Sequence, residues 1–141
     1  MKKILVPFDG SDNALRAIHY AATVAIDTAG VELVLLHVLD PMTFKSPATL
    51  LSPDELSRLC PVEAAHIIEP ARQILDLADI RYTIRCRVGA AAGAIASEVY
   101  ESQCDGVIMG TRGMGAIANL MIGSVASHVV HLVHVPVTLI K

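Results

Sequence analysis

Residues 110–126 read GTRGMGAIANLMIGSVA, with four glycines and one arginine in a run that is otherwise apolar or small. Fixing glycine costs backbone entropy, so a cluster of it marks a place where side chains would be in the way. Gly110, Gly113 and Gly115 follow the apolar stretch GVIMG, and Gly123-Ser124 open a helical pattern. Backbone amides of a glycine loop backed by a helix N-terminus make a phosphate site. Ser124 could add a hydroxyl donor at the cap. A tight turn and a helix cap with no ligand would account for any one of these glycines; the spaced set favours phosphate.

The kind of phosphate site is narrowed by what is missing. The P-loop pattern is absent, and no lysine lies between Lys45 and Lys141 to supply its cation. Residues 113–118, GMGAIA, match a dinucleotide variant, G-x-G-x-x-A. The acidic partner roughly twenty residues on is missing, because no Asp or Glu follows Asp105, and no chain remains for the rest of such a domain. NAD and FAD are therefore set aside. His128, His131 and His134 are spaced i, i+3, i+6 and drift around a helix by roughly 60° per step. A metal needs convergent ligands, so these read as helix-end and interface histidines, and no metal site is expected. Ser11 and Ser124 have no identifiable histidine and acid partners, which argues against a Ser-His-Asp hydrolase. No paired carboxylates near the glycine loop suggest acid–base chemistry.

These residues need elements to hold them. Runs 3–8, 31–39, 106–110 and 135–140 are short and apolar, and helical patterns separate them. Continuous apolar strands alternating with helices imply a parallel sheet covered on both faces. Residues 81–88, RYTIRCRV, instead alternate polar and apolar, which suits an edge strand. Ala14, Ala17, Ile18, Ala21, Val24 and Ala25 form one helical stripe. Ser52-Pro53-Asp54-Glu55 reads as an N-cap, a first-turn proline and a capping-box glutamate. A break or kink is expected in that helical region at Pro61 and Pro70. Residues 91–103 and 123–133 give two more helices, the last with Val125, Val129, Leu132 and Val133 on one face.

Right-handed crossovers in this order place helices on both faces of one five-stranded sheet, 3-2-1-4-5. Ligands in such sheets bind at the carboxyl ends of strands where the order reverses, between the first strand and the fourth. The first ends at Pro7-Phe8-Asp9 and the fourth at Met109-Gly110, so two sequence-distant features converge. Asp9-Gly10-Ser11 by itself is a turn and helix cap; its place opposite the glycine loop gives Asp9 a second reading as a ligand contact.

The chain has 141 residues, of which 53% are hydrophobic and 18% charged, as expected for one packed globular domain over 1–141. A net charge of -3 without a basic tract argues against nucleic-acid binding and against a polybasic membrane anchor. The opening MKKILVPFDGSD starts like a signal peptide, but its apolar run stops at Asp9, and no later stretch is long enough to span a bilayer. Cys60, Cys86 and Cys104 share no metal-like spacing and read as buried or half-buried thiols in a reducing cytoplasm.

The spacing Gly110-x2-Gly113-x9-Gly123-Ser124 resembles the nucleotide motif of the ATP-binding branch of the universal stress protein family. The opening KILVPFDGSDNALRAIHYA resembles that family's first strand and helix, and the closing GSVASHVVHLVHVPVTLIK its last helix and strand. One departure is VGAAAGAI, residues 88–95, where many relatives carry Gly-x-Pro; a local effect on a turn is expected. The resemblance implies a Rossmann-like fold. It implies that Asp9 and the backbone around Pro7 contact the adenosine moiety, and that Val38 offers backbone hydrogen bonds to the adenine edge. It further implies that Gly110, Arg112 and Gly113 line ribose and phosphate, and that Gly123, Ser124 and Val125 hold the terminal phosphates.

The leading function is then a regulatory module in stress response that holds ATP, with or without Mg²⁺, and changes its assembly with occupancy. The rival is a slow ATPase; the site offers phosphate donors but neither a base to activate water nor a lysine. A third reading is a dimer of the same fold without nucleotide binding, which the intact glycine spacing disfavours. The last strand, VPVTLI, is a sheet edge carrying no charge before Lys141. Such an edge needs covering, and the same strand of a second copy, Val135–Ile140 on Val135–Ile140, closes the interface about a two-fold axis.

Overall fold

The computed structural model describes residues 2–42, 51–112 and 122–141. Along these, the elements are β1 (Lys3–Pro7), α1 (Asp12–Asp27), β2 (Glu32–Leu39), α2 (Pro53–Ile67) and α3 (Glu69–Leu77). They continue as β3 (Tyr82–Val88), α4 (Ala91–Glu101), β4 (Gly106–Gly110), α5 (Ser124–Leu132) and β5 (Val137–Ile140). The sheet is five-stranded and parallel, in the expected order β3-β2-β1-β4-β5.

Side chains of the inner strands alternate between two cores. Ile4, Val6, Leu33 and Leu35 pack under α1, α2 and α3 with Ala17, Ile18, Ala64, Ile68 and Leu75. Leu5, Val34, Leu36, Val107 and Met109 pack under α4 and α5 with Ile95, Val99, Ala126 and Val129. Burial on both faces is why these strands lack a polar period. In β3 Thr83 and Arg85 are exposed between half-buried Tyr82, Ile84 and Cys86, as an edge strand demands.

Two local expectations are corrected. Pro61 does not break α2, which runs on to Ile67; the break falls at Ile68, ahead of Pro70. Pro61 leaves only the carbonyl one turn back without its helical donor, and Ser57 there is exposed to water. The capping box at Ser52 and Glu55 forms as expected. In α5 the buried residues are Ala126 and Val129, whereas Val125 and Leu132 are 37% and 51% exposed. The apolar stripe of α5 is therefore broader than the face the sheet covers.

A charged cluster joins α4 to β3. Glu98, fully buried on α4, accepts from Arg85 at 3.0 Å and from Arg87 at 2.5 Å, with the Ser102 hydroxyl as a third donor. Burial alone would raise its pKa; the Ser102 and Arg87 hydrogen bonds and the charges of Arg85 and Arg87 outweigh it and hold the carboxyl below its ordinary value.

Candidate functional site

The paired register between β1 and β4 covers Ile4–Gly106 and Leu5–Val107, whereas β1 stays paired with β2 through Pro7–Leu36. Among the described residues, β1 and β4 thus separate before their carboxyl ends, at the point where the strand order reverses. Pro7 and Asp9 stand on one side of that opening, and Gly110, Thr111 and Arg112 on the other.

Asp9 makes the turn its sequence suggests. Its Oδ1 accepts from the Ser11 amide at 2.9 Å, and Ser11 caps α1 by accepting from the Ala14 amide at 3.1 Å. The carboxylate is exposed at the strand end. Val38 is placed by strand parity. The Glu32 amide bonds to Lys2 and the Leu36 carbonyl accepts from Phe8, so even-numbered residues of β2 face β1; Leu33 and Leu39 bond on the β3 side. Val38, the next even position, turns its amide and carbonyl toward β1 just past the last rung.

Beyond β4, Thr111 joins three elements. Its amide donates to the Ile140 carbonyl at 2.8 Å, its carbonyl accepts from the Gly123 amide at 2.6 Å, and its hydroxyl lies 3.5 Å from Asn13 Nδ2. This fixes the start of α5 beside the end of β4. Gly123 is the N-cap of α5, Ser124 its first helical residue, and among the described residues no side chain caps the helix. Ser124, the expected hydroxyl donor, thus lies in the first turn of the helix, behind a glycine N-cap that itself offers no side-chain acceptor. Ser124 and Val125 are exposed there. Gly113 lies outside the described residues, with the rest of 113–121.

Gly110 has a packing reason of its own. A Cβ there would stand 2.9 Å from Asn13 Cβ and 3.1 Å from the Asn13 carbonyl carbon. The glycine lets α1 approach the end of β4. Gly110→Ala should therefore destabilise the protein by about 1–3 kcal/mol, read as a lower melting temperature; an unchanged melting temperature would remove this explanation.

The strand end also carries groups that the sequence reading did not single out. His37, 7% exposed on β2, makes no hydrogen bond through either ring nitrogen, although the Phe8 carbonyl approaches it. Burial lowers its pKa, against the opposing pull of Glu63, Phe8 and Asp9. The signal was one polar residue inside the apolar run VELVLLHVL. His128, His131 and His134 are all exposed on or just after α5, and among the described residues no three metal-ligating side chains converge. No helix among those residues is long and apolar enough to cross a membrane.

A reversed-order parallel sheet with an uncapped helix N-terminus at its switch point defines a Rossmann-like α/β protein. The universal stress protein family model matches residues 1–141, and the chain belongs to that family. A universal stress protein from Thermus aquaticus is 31% identical over 99% of this chain and 98% of its own. The structure of universal stress protein UspA from Lactobacillus plantarum matches with a TM-score of 0.80 and 26% identity, over 99% of this chain and 97% of that one. A universal stress protein family protein from Arabidopsis thaliana, solved with AMP bound, matches with a TM-score of 0.70 and 19% identity, over 100% and 92%; that likeness concerns the fold.

Proposed function

We propose that this protein is a regulatory module that binds an adenine nucleotide, ATP with or without Mg²⁺, in the opening between β1 and β4. The observation that carries the reading is the α5 N-terminus, which is tied to Thr111 at the end of β4 and has a glycine where a capping side chain would stand. In this reading the amides around Gly123, Ser124 and Val125 hold the terminal phosphates, aided by the helix dipole. Gly110, Arg112 and Gly113 line ribose and phosphate. The backbone of Val38 hydrogen-bonds the adenine edge, and Pro7 and Asp9 contact the adenosine. The AMP-bound plant protein of the same fold is in keeping with an adenine ligand.

Phosphoryl transfer depends on positioning and electrostatics. No lysine lies between Lys45 and Lys141 to supply a mobile cation. Turnover is expected to be slow, which is compatible with a regulatory role. The free thiols suit a reducing cytoplasm.

The module is proposed to act as a homodimer through Val135–Ile140. The β5 residues Val137–Ile140 are only half-buried at the sheet edge, and Val130 and Leu132 stand exposed on the neighbouring helix. Next to this edge a groove of about 600 Å³ is lined by Val99, Tyr100, Leu132, Val133 and Val135, among others. Light scattering should give twice the chain mass, and replacing Val137 and Leu139 together with Asp should give monomers or insoluble protein. A wild type that stays monomeric at high micromolar concentration would rule the interface out. Protein incubated with ATP and then denatured should release ATP, still intact after minutes, in mass spectrometry. Release of ADP alone would favour the slow ATPase.

A further inference from the structure

Cys60 of α2 and Cys86 of β3 meet on the α2 side of the sheet. Cys60 is 2% exposed and clusters with Leu39 and Leu56; Cys86, half-buried on the edge strand, packs against that cluster. The Cys60 thiol points to the carbonyl of the very next residue, Arg87, at 3.5 Å. Both thiols are free. Burial first, and the neighbouring Cys86 thiol second, push the Cys60 thiol up to about 12. His37 is the register partner of Cys86 on β2, and Glu63 of α2 carries a buried Oε2; among the described residues neither meets a well-formed hydrogen bond, although the Phe8 carbonyl approaches the imidazole. Unpartnered buried polar groups are rare in a core that only packs. Burial lowers the His37 pKa and so favours the neutral imidazole, one of whose ring nitrogens accepts a proton. Nucleotide binding as proposed above uses none of these groups.

We propose that Cys60 and Cys86 form an oxidisable dithiol whose disulfide fastens α2 to the edge strand β3. The oxidant is a hydroperoxide. The more accessible Cys86 sulfur attacks it, the O–O bond breaks, and water or an alcohol leaves, giving a sulfenic acid on Cys86. Cys60 sulfur then attacks Cys86 sulfur, the S–O bond breaks, and the oxygen leaves as water with the Cys60 proton. In sum, two thiols lose two hydrogens and the peroxide is reduced by two electrons. Because Cys60 is held protonated, Cys86 reacts first and Cys60 resolves it. Cys104 is a natural control: it is 5% exposed and lies in the core of the opposite face.

Folded wild-type protein is treated with hydrogen peroxide, denatured, alkylated and weighed. The chain should lose the mass of two hydrogens, take up one alkyl group at Cys104, and yield a linked peptide containing Cys60 and Cys86. It should run as a single chain without reductant, melt at a higher temperature than the reduced protein, and revert with dithiothreitol. Cys60→Ser should leave a Cys86 sulfenic acid that dimedone traps. The wild-type peptide map decides the matter even if that variant fails to fold. Three alkylated cysteines after treatment would overturn the proposal. So would sulfinic acid at Cys86 beside a free Cys60, a link formed only between chains, or a lower melting temperature on oxidation.

Discussion

Gly123→Val is expected to weaken ATP binding by roughly 10²–10⁴-fold while the protein stays folded. The α5 amides reach a phosphate only if nothing fills the cap position. A Cβ at Gly123 would already stand 3.1 Å from the Thr111 carbonyl oxygen, the atom that accepts from the Gly123 amide. The branched side chain must displace the loop or project over the first turn, and it removes two or so charge-assisted hydrogen bonds at about 1.5–3 kcal/mol each. The fold tolerates the change because Gly123 has φ -72 and ψ 165, an extended conformation open to any residue. Calorimetric titration and a thermal melt separate the two effects. Parent-like affinity in a folded variant would show that the phosphates lie elsewhere.

Glu98→Ala should cost about 2–4 kcal/mol of stability, because it leaves the partners of a buried carboxylate without their acceptor. The lower part of that range applies if Arg85, whose side chain is 54% exposed, turns to water, while Arg87 keeps Glu101. The pH dependence has a definite sign. The carboxyl is held below its ordinary value in the folded state. Its contribution is therefore fully present above that value and is lost as pH falls through the lower folded pKa. Chemical denaturation at a series of pH values below about 5 should show wild-type stability falling more steeply than that of Glu98→Gln, which has no carboxyl to protonate. Equal slopes would mean that Glu98 does not carry this acid sensitivity.

The inner strands and the β3 edge were legible because burial leaves a local mark. The run VELVLLHVL is too apolar for a wet face, and RYTIRCRV alternates as an edge strand does. Groups that meet only through the fold left no such mark. Glu98 looked like an ordinary helical acid until β3 brought Arg85 and Arg87 beneath it. Cys60 and Cys86 gave no spacing to read, because a helix and a strand brought them together. The glycines were legible as a set but not one by one. Gly110 is explained by its approach to Asn13, and Gly123 by its place as the N-cap of α5. Val38 entered through the family resemblance, and strand parity shows only that its amide and carbonyl turn toward β1.

Calorimetric titration of the purified protein with ATP, GTP and NAD tests adenine-nucleotide binding most directly. The Val38 amide and carbonyl would match an adenine edge, and guanine would leave buried groups unpaired at about 1–3 kcal/mol each. ATP should bind with GTP weaker by roughly tenfold or more, and NAD should not compete. Equal affinity for all three, or no heat with ATP, would contradict the account.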